Sequence, residues 1–163
     1  MNWQALYLSP EGRTSQRDFW TAFLVLIAIW FVSLLLHIFA PIVWLLLVFP
    51  WVCVFAKRLH DFGKSAWLIL IPVGIGFLAG MLALILGGVS VFSAALAVLD
   101  DGSDHEAWTS LFAGLGVMLA CLGVAALVKF AFILWVGLSP GVPGPNRFGP
   151  PPAARAQPPS TAL

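Results

Sequence analysis

The sequence predicts an all-α, polytopic membrane protein: a helical bundle with four transmembrane helices and a short interfacial helix ahead of the first. Three observations predict it. Of 163 residues, 61% are hydrophobic and 9% charged, whereas a soluble domain carries about 25% charged residues. Eight Lys and Arg with seven Asp and Glu cannot keep this much apolar surface in water. An ordinary soluble domain, a disordered chain and a large nucleic-acid-binding surface are thereby excluded. The apolar residues are also gathered into runs of the length a spanning helix needs, about 20 residues for roughly 30 Å of hydrocarbon. Finally, the cationic residues fall almost wholly on one side of those runs.

Met1 to Leu8 places Trp3, Leu6 and Tyr7 on one face, as in a short interfacial helix ended by the Ser9-Pro10-Glu11-Gly12 turn. The first span covers residues 19–38 and carries no charge. Ser15-Gln16-Arg17-Asp18 before it reads as an S-x-x-D capping box for its first free amides. The run starts too far in, and lacks the small-residue cleavage site, to be a removable signal peptide. Residues 41–58 form the second span, with Pro41 at a first helical position that needs no amide donor. The apolar stretch of this span is short, and Lys57 and Arg58 snorkelling to the headgroups would complete it. Gly63 reads as the helix terminator and Ser65 as the N-cap of the next helix.

The apolar run 66–99 is too long for one span and too short for two. Its expected break is Gly87-Gly88, giving a third span over 66–86 and an interfacial or tilted extension after it. Pro50 and Pro72 favour kinks, and Pro72, Gly74 and Gly76 mark the start of span three as its irregular stretch. An acidic loop, Asp100 to Glu106, precedes the fourth run. That span is read as 108–128 or 112–138, depending on Lys129. The first reading, which is preferred, puts Lys129 at the inner boundary. The second makes it an intramembrane polar residue. Residues 1–149 form the integral membrane helical domain, and 150–163 a Pro/Ala-rich tail expected to be disordered. Small residues at helical spacing, Gly76 and Gly80 followed by Ala83 and Gly87 in span three, and Gly116 and Ala120 with Gly123 nearby in span four, are candidate packing positions, and the two faces are expected to meet within or between chains. Cys53 and Cys121 lie in apolar spans and read as inert small hydrophobes.

Arg13, Arg17, Lys57, Arg58, Lys64, Arg147 and Arg155 all fall on one side of a four-span topology. The two opposite loops carry no Lys or Arg, so the positive-inside rule puts both termini in the cytoplasm. The candidate cytoplasmic polar cluster is Arg13, Arg17, Asp18, Lys57, Arg58, His60, Asp61, Lys64, Ser65, Asn146 and Arg147. Within it Lys57 and Asp61 are four apart and can pair on a helix. The cluster reads as ion pairs closing the inner mouth of the bundle, tying the segment after span two to Arg17 and Asp18. Its basic excess would attract anionic headgroups. A metal site at His60-Asp61 would need further ligands, and a Ser65 nucleophile would need an oxyanion hole. Neither is visible, so no catalytic, metal or cofactor site is expected. The segment Pro143 to Gly149 cannot be helical, and its turns would bring Arg147 to the phosphates and Phe148 into the interface.

The order G-R-x-x-x-R-x-F-W before span one, R-L-H-D-x-G-K-S-x-W after span two and G-x-P-G-x-N-R-F-G-P after the last span resembles a family of small bacterial inner-membrane proteins known as domain of unknown function 805. The resemblance covers roughly residues 1–150. It departs from the family pattern in the long stretch between the second and third motifs. It implies a multi-pass location in the bacterial inner membrane and no particular reaction. The favoured function is therefore non-enzymatic: a membrane protein whose basic cytoplasmic face binds membrane lipids by their headgroups, or a membrane protein partner. The alternative is a small transporter or channel acting as a homo-oligomer, motivated by Lys129. An inner-leaflet enzyme resting on His60, Asp61 and Ser65 ranks last.

Overall fold

A computed structural model of the chain describes residues 3–35, 39–99 and 104–152. The end of the first run with His37, most of the acidic loop and the tail beyond Pro152 lie outside the described residues. Six α-helices follow in order: α1 (Trp3–Leu8), α2 (Gln16–Leu35), α3 (Ala40–Asp61), α4 (Leu70–Leu82), α5 (Gly88–Leu99) and α6 (Asp104–Leu138). A 3-10 turn, Ala66–Ile69, leads into α4, and a π-helical turn, Ala83–Gly87, joins α4 to α5. Four helical segments are long and apolar enough to cross a membrane: Gln16–Leu35, Ala40–Asp61, Ala66–Leu99 and His105–Leu138. The chain divides into two units, residues 1–69 with 134–163, and residues 70–133.

The first unit is built on α2 and α3. Ser15 sits at the N-cap of α2 and its hydroxyl accepts the Asp18 amide at 3.1 Å, the hydroxyl half of the expected capping box. Phe19, Ala22, Leu26 and Ser33 form the buried stripe of α2. Against it stand aromatic rings of α3. Phe19 meets Phe55 edge to face at 5.2 Å between centroids, and Phe23 meets Trp51 at 5.1 Å. Lipid tails are as apolar as these side chains, so their mutual packing rather than escape from water holds the pair together. Ring contacts of this kind add about 0.5–1.5 kcal/mol each. Trp30, by contrast, is exposed on the outer face. The short α1 buries Leu6, stacks Trp3 on Tyr7, and lets the Tyr7 hydroxyl donate to the Ala22 carbonyl at 3.5 Å.

One expectation for this unit changes. Lys57 and Arg58 do not snorkel: they are 5% and 0% exposed. Acceptors inside the protein hold them there, so α3 extends past Lys57 to Asp61. Pro50 lies inside α3. The termination beyond it is as expected. Gly63 adopts φ +76°, its amide bonds to the His60 carbonyl at 3.1 Å, and the Lys64 amide bonds to the Leu59 carbonyl at 2.9 Å. That is a Schellman motif, which needs the left-handed conformation glycine adopts without strain. Ser65 caps the 3-10 turn, its hydroxyl accepting the Trp67 amide at 3.4 Å.

In the second unit the run 66–99 does not break at Gly87-Gly88. Gly88 has ordinary helical angles, φ −62° and ψ −41°, and follows the π turn directly into α5. Where no water can accept a freed amide, a glycine pair is held in the helix rather than opening it. The start of the run is irregular, as expected, but as the 3-10 turn Ala66–Ile69 ahead of Pro72, while Gly74 and Gly76 lie in regular α4. Pro72, the third residue of α4, sits where a missing donor costs little. The fourth run is likewise unbroken at Lys129: α6 continues to Leu138.

Small residues do bring these helices together, partly on the expected face, at Gly76, Ala83 and Gly87, and partly at other positions. Pro72, Ala79, Ala83, Gly87 and Ala94 are buried on the 66–99 run. A Cβ added at Gly114 would lie 2.8 Å from the Gly87 carbonyl oxygen and 2.9 Å from Ser90 Cβ. One added at Gly87 would lie 2.3 Å from Met118 Cγ. Gly80 and Gly116 have nothing within 4 Å, and Ala120 is exposed. Gly76 faces Lys129, whose Cε and Nζ come within 3.1 and 3.3 Å of an added Cβ. Cys121 is half-buried and Cys53 buried, both as free thiols.

Gly114→Ala is expected to destabilise the protein by about 1–3 kcal/mol, because backbone rather than a mobile side-chain tip occupies the new methyl's place. Gly116→Ala should melt like the parent. Thermal unfolding of both variants in detergent checks this. Equal losses would mean that Gly116 carries a packing contact equivalent to that of Gly114.

Candidate functional site

Within the first unit, the C-terminal end of α3, the segment before α2 and the loop after α6 converge on Asp61. Its carboxylate is fully buried between two guanidinium groups. Arg13 reaches Oδ1 at 3.1 Å and Arg58 reaches Oδ2 at 2.5 Å, with side-chain exposures of 1% and 0%. Arg13 spends its remaining donors on backbone. Nη1 donates to Gly144 at 2.7 Å and Gly149 at 3.3 Å, and Nη2 to Val142 at 2.5 Å and to the Asp61 carbonyl at 3.2 Å. Arg58 donates from Nε to the Val136 carbonyl at 3.1 Å and from Nη2 to the Ser139 carbonyl. Those carbonyls belong to the last turn of α6 and its exit, where helical acceptors lack amide partners and the helix dipole favours a cation. Among the described residues, no buried side-chain nitrogen or oxygen lacks a hydrogen-bond partner.

Lys57, expected to pair with Asp61, instead donates its ammonium to the Ala5 carbonyl of α1. Asp61 pairs across i,i+3 with Arg58 because Arg58 lies on its buried side. The segment after span two is tied to Arg13 rather than to Arg17 and Asp18. Arg17 and Lys64 are exposed and make no ion pair among the described residues. The last turn of α6 is further seated by Gly137, whose bare Cα admits Trp20: an added Cβ would lie 2.4 Å from the indole ring.

The loop after α6 turns back as expected. The Val142 amide reaches the Asp61 carbonyl at 3.0 Å, and Asn146 and Gly149 exchange backbone bonds at 3.1 and 2.9 Å. Asn146 is the loop's clasp. Its Nδ2 donates to the His60 carbonyl at 2.9 Å and its Oδ1 accepts the Phe148 amide at 2.9 Å. Phe148 lies flat on the His60 ring, 3.8 Å between centroids at 8°. His60 Nδ1–H in turn donates to the Gly12 carbonyl at 3.3 Å. Arg147 Cζ lies 4.6 Å from the Phe148 centroid.

Beside this stack is an open recess of about 410 Å³ lined by Pro10, Glu11, Gly12, His60, Arg147 and Phe148. Sequence reasoning missed it. From sequence Glu11 stands out only as part of the turn that ends the interfacial helix, and nothing in the spacing of residues 10–12 signals that this turn meets a loop beyond residue 145. His60 has Asp61 beside it in sequence, yet their side chains are committed to different partners, and Ser65 shares no hydrogen bond with His60.

Removing Asp61 leaves two buried guanidinium groups without their shared anion, and removing Arg13 leaves Asp61 Oδ1 and the loop carbonyls without their donor. Arg13→Ala and Asp61→Ala are expected to lose about 3–5 kcal/mol. Arg17→Ala, at an exposed position, should leave thermal unfolding in detergent unchanged. If the Asp61 variant accumulated and melted like the parent, the triad would not be holding the loop after α6.

No curated protein and no solved structure matches the chain. The family profile described as "Protein of unknown function (DUF805)" matches residues 7–150, including all three polar segments that build the triad and the recess. On that match, which covers most of the sequence, the chain belongs to the DUF805 family.

Proposed function

We propose that this integral membrane protein is a non-enzymatic, multi-pass component of the bacterial inner membrane, with both termini in the cytoplasm and a basic cytoplasmic face that binds phospholipid headgroups. One observation carries the reading. The cations at the end of the first unit are sorted into two sets. Arg13, Lys57 and Arg58 are turned inward and satisfied by Asp61 and backbone carbonyls. Arg17, Lys64 and Arg147 are exposed and make no ion pair among the described residues. The inward set holds the fold together, and the outward set stands at the ends of spanning helices, where lipid phosphates lie. Each such cation contributes about 1 kcal/mol toward an anionic surface.

Orientation is tested by fusions at Leu163: a fluorescent reporter should be active and alkaline phosphatase silent. Headgroup binding is tested by native mass spectrometry of detergent-extracted protein. The parent should retain more phospholipid than the triple variant R17A/K64A/R147A at equal folding. Equal retention would overturn the headgroup reading.

A further inference from the structure

We infer that the recess between the Pro10-Glu11-Gly12 turn and the loop after α6 is a binding site for a phosphoethanolamine headgroup, with Arg147 holding the phosphate and Glu11 the ammonium. The inference rests on the headgroup reading above and deepens it. The volume, about 410 Å³, falls in the range of small-ligand pockets, about 300–1,000 Å³. The recess also carries both signs of charge, and neither is neutralised by an ion pair among the described residues. Glu11 and Arg147 line the same space, yet no ion pair joins them or links either to another described residue. Glu11 is held by its own backbone, whose amide donates to Ser9 Oγ at 3.3 Å, and its carboxylate makes no ion pair among the described residues.

The cationic half is pre-positioned. Arg147 lies over the Phe148 ring, and the ring is backed by His60, itself pinned to Gly12. A guanidinium resting on an aromatic face keeps its in-plane N–H groups free, the geometry that meets a phosphate through two parallel bonds. The turn and the loop that frame the recess adjoin the N-terminal end of α2 and the C-terminal end of α3, the depth at which a lipid presents its headgroup.

The same features discriminate among headgroups. A primary ammonium has three N–H donors for Glu11. A quaternary ammonium has none and is recognised by open aromatic faces, whereas Phe148 already carries His60 and Arg147 on its faces. An anionic glycerol headgroup offers nothing cationic to Glu11 and is repelled by it.

The test is competitive lipid retention, by native mass spectrometry of the full chain equilibrated in mixed micelles with equal phosphatidylethanolamine, phosphatidylcholine and phosphatidylglycerol. Phosphatidylethanolamine is expected to be preferred about tenfold over phosphatidylcholine, the scale of one charge-assisted contact. Glu11→Gln should remove that preference while leaving total phospholipid retained, and Glu11→Lys should shift it to phosphatidylglycerol. Arg147→Ala should lower retention of all three. Free glycerophosphoethanolamine added as competitor separates the two sources of the headgroup. Displacement means that the headgroup alone suffices, and persistence of the bound lipid with its preference intact means that the acyl chains anchor it; either result supports the site. A phosphatidylglycerol preference in the parent, or an unchanged preference in Glu11→Gln, overturns this site while sparing general headgroup binding. Loss of retention in the R17A/K64A/R147A variant with no headgroup preference in the parent would do the same. Equal retention by the parent and that triple variant overturns both readings.

Discussion

A carboxylate buried between two guanidinium groups is the constraint from which the first unit is organised. Asp61 is without solvent contact, and so are the Arg13 and Arg58 side chains to within 1%. Taking such ions out of water costs several kcal/mol each, and a single ion pair rarely offsets it. The triad also has one cation too many. The surplus is met by backbone: the carbonyls of Val136 and Ser139 on Arg58, and those of Val142, Gly144 and Gly149 on Arg13. The end of α6 and the loop after it are therefore required for the triad to be electrically satisfied, and the triad in turn dictates the path of a segment that cannot be helical.

That dependence explains how a Pro- and Gly-rich stretch comes to hold functional side chains in defined positions. With its carbonyls gripped from below by Arg13 and its Asn146 clasped to the His60 carbonyl, the loop presents Phe148 to His60 and leaves Arg147 on top. The recess beside them has one wall from the N-terminal turn and another from this loop. Its walls owe their spacing to buried charges that never face the ligand space.

Much of this fold can be read in the residues. Hydropathy locates the four spanning segments because a hydrocarbon interior tolerates almost nothing else, and Ser15 and Gly63 announce a helix start and stop through chemistry that is local to a few residues. Arg13, Arg58 and Asp61 stand out as rare charges beside long apolar runs. Their partners do not. Arg58 bonds chiefly to carbonyl oxygens, Lys57 to that of Ala5, and every residue has a carbonyl. So sequence suggests a Lys57–Asp61 pair and snorkelling where the structure has neither. The helix contacts at Gly114 and Gly137 escape for a related reason: small residues are scattered throughout these apolar runs, and only three-dimensional proximity picks out the ones whose missing Cβ is used.

The bonds of Arg13 also set an order on biosynthesis. Its guanidinium and its Gly144 acceptor are 131 residues apart. At about 5–20 residues per second, the ribosome needs on the order of ten seconds to supply that acceptor. Throughout this interval Arg13, Arg58 and Asp61 must wait in a partly made protein with two cations facing one anion. The triad therefore closes last, after every span has been threaded. A chain cut before the final loop lacks the carbonyls that satisfy Arg13, so its charge cluster is left short of acceptors.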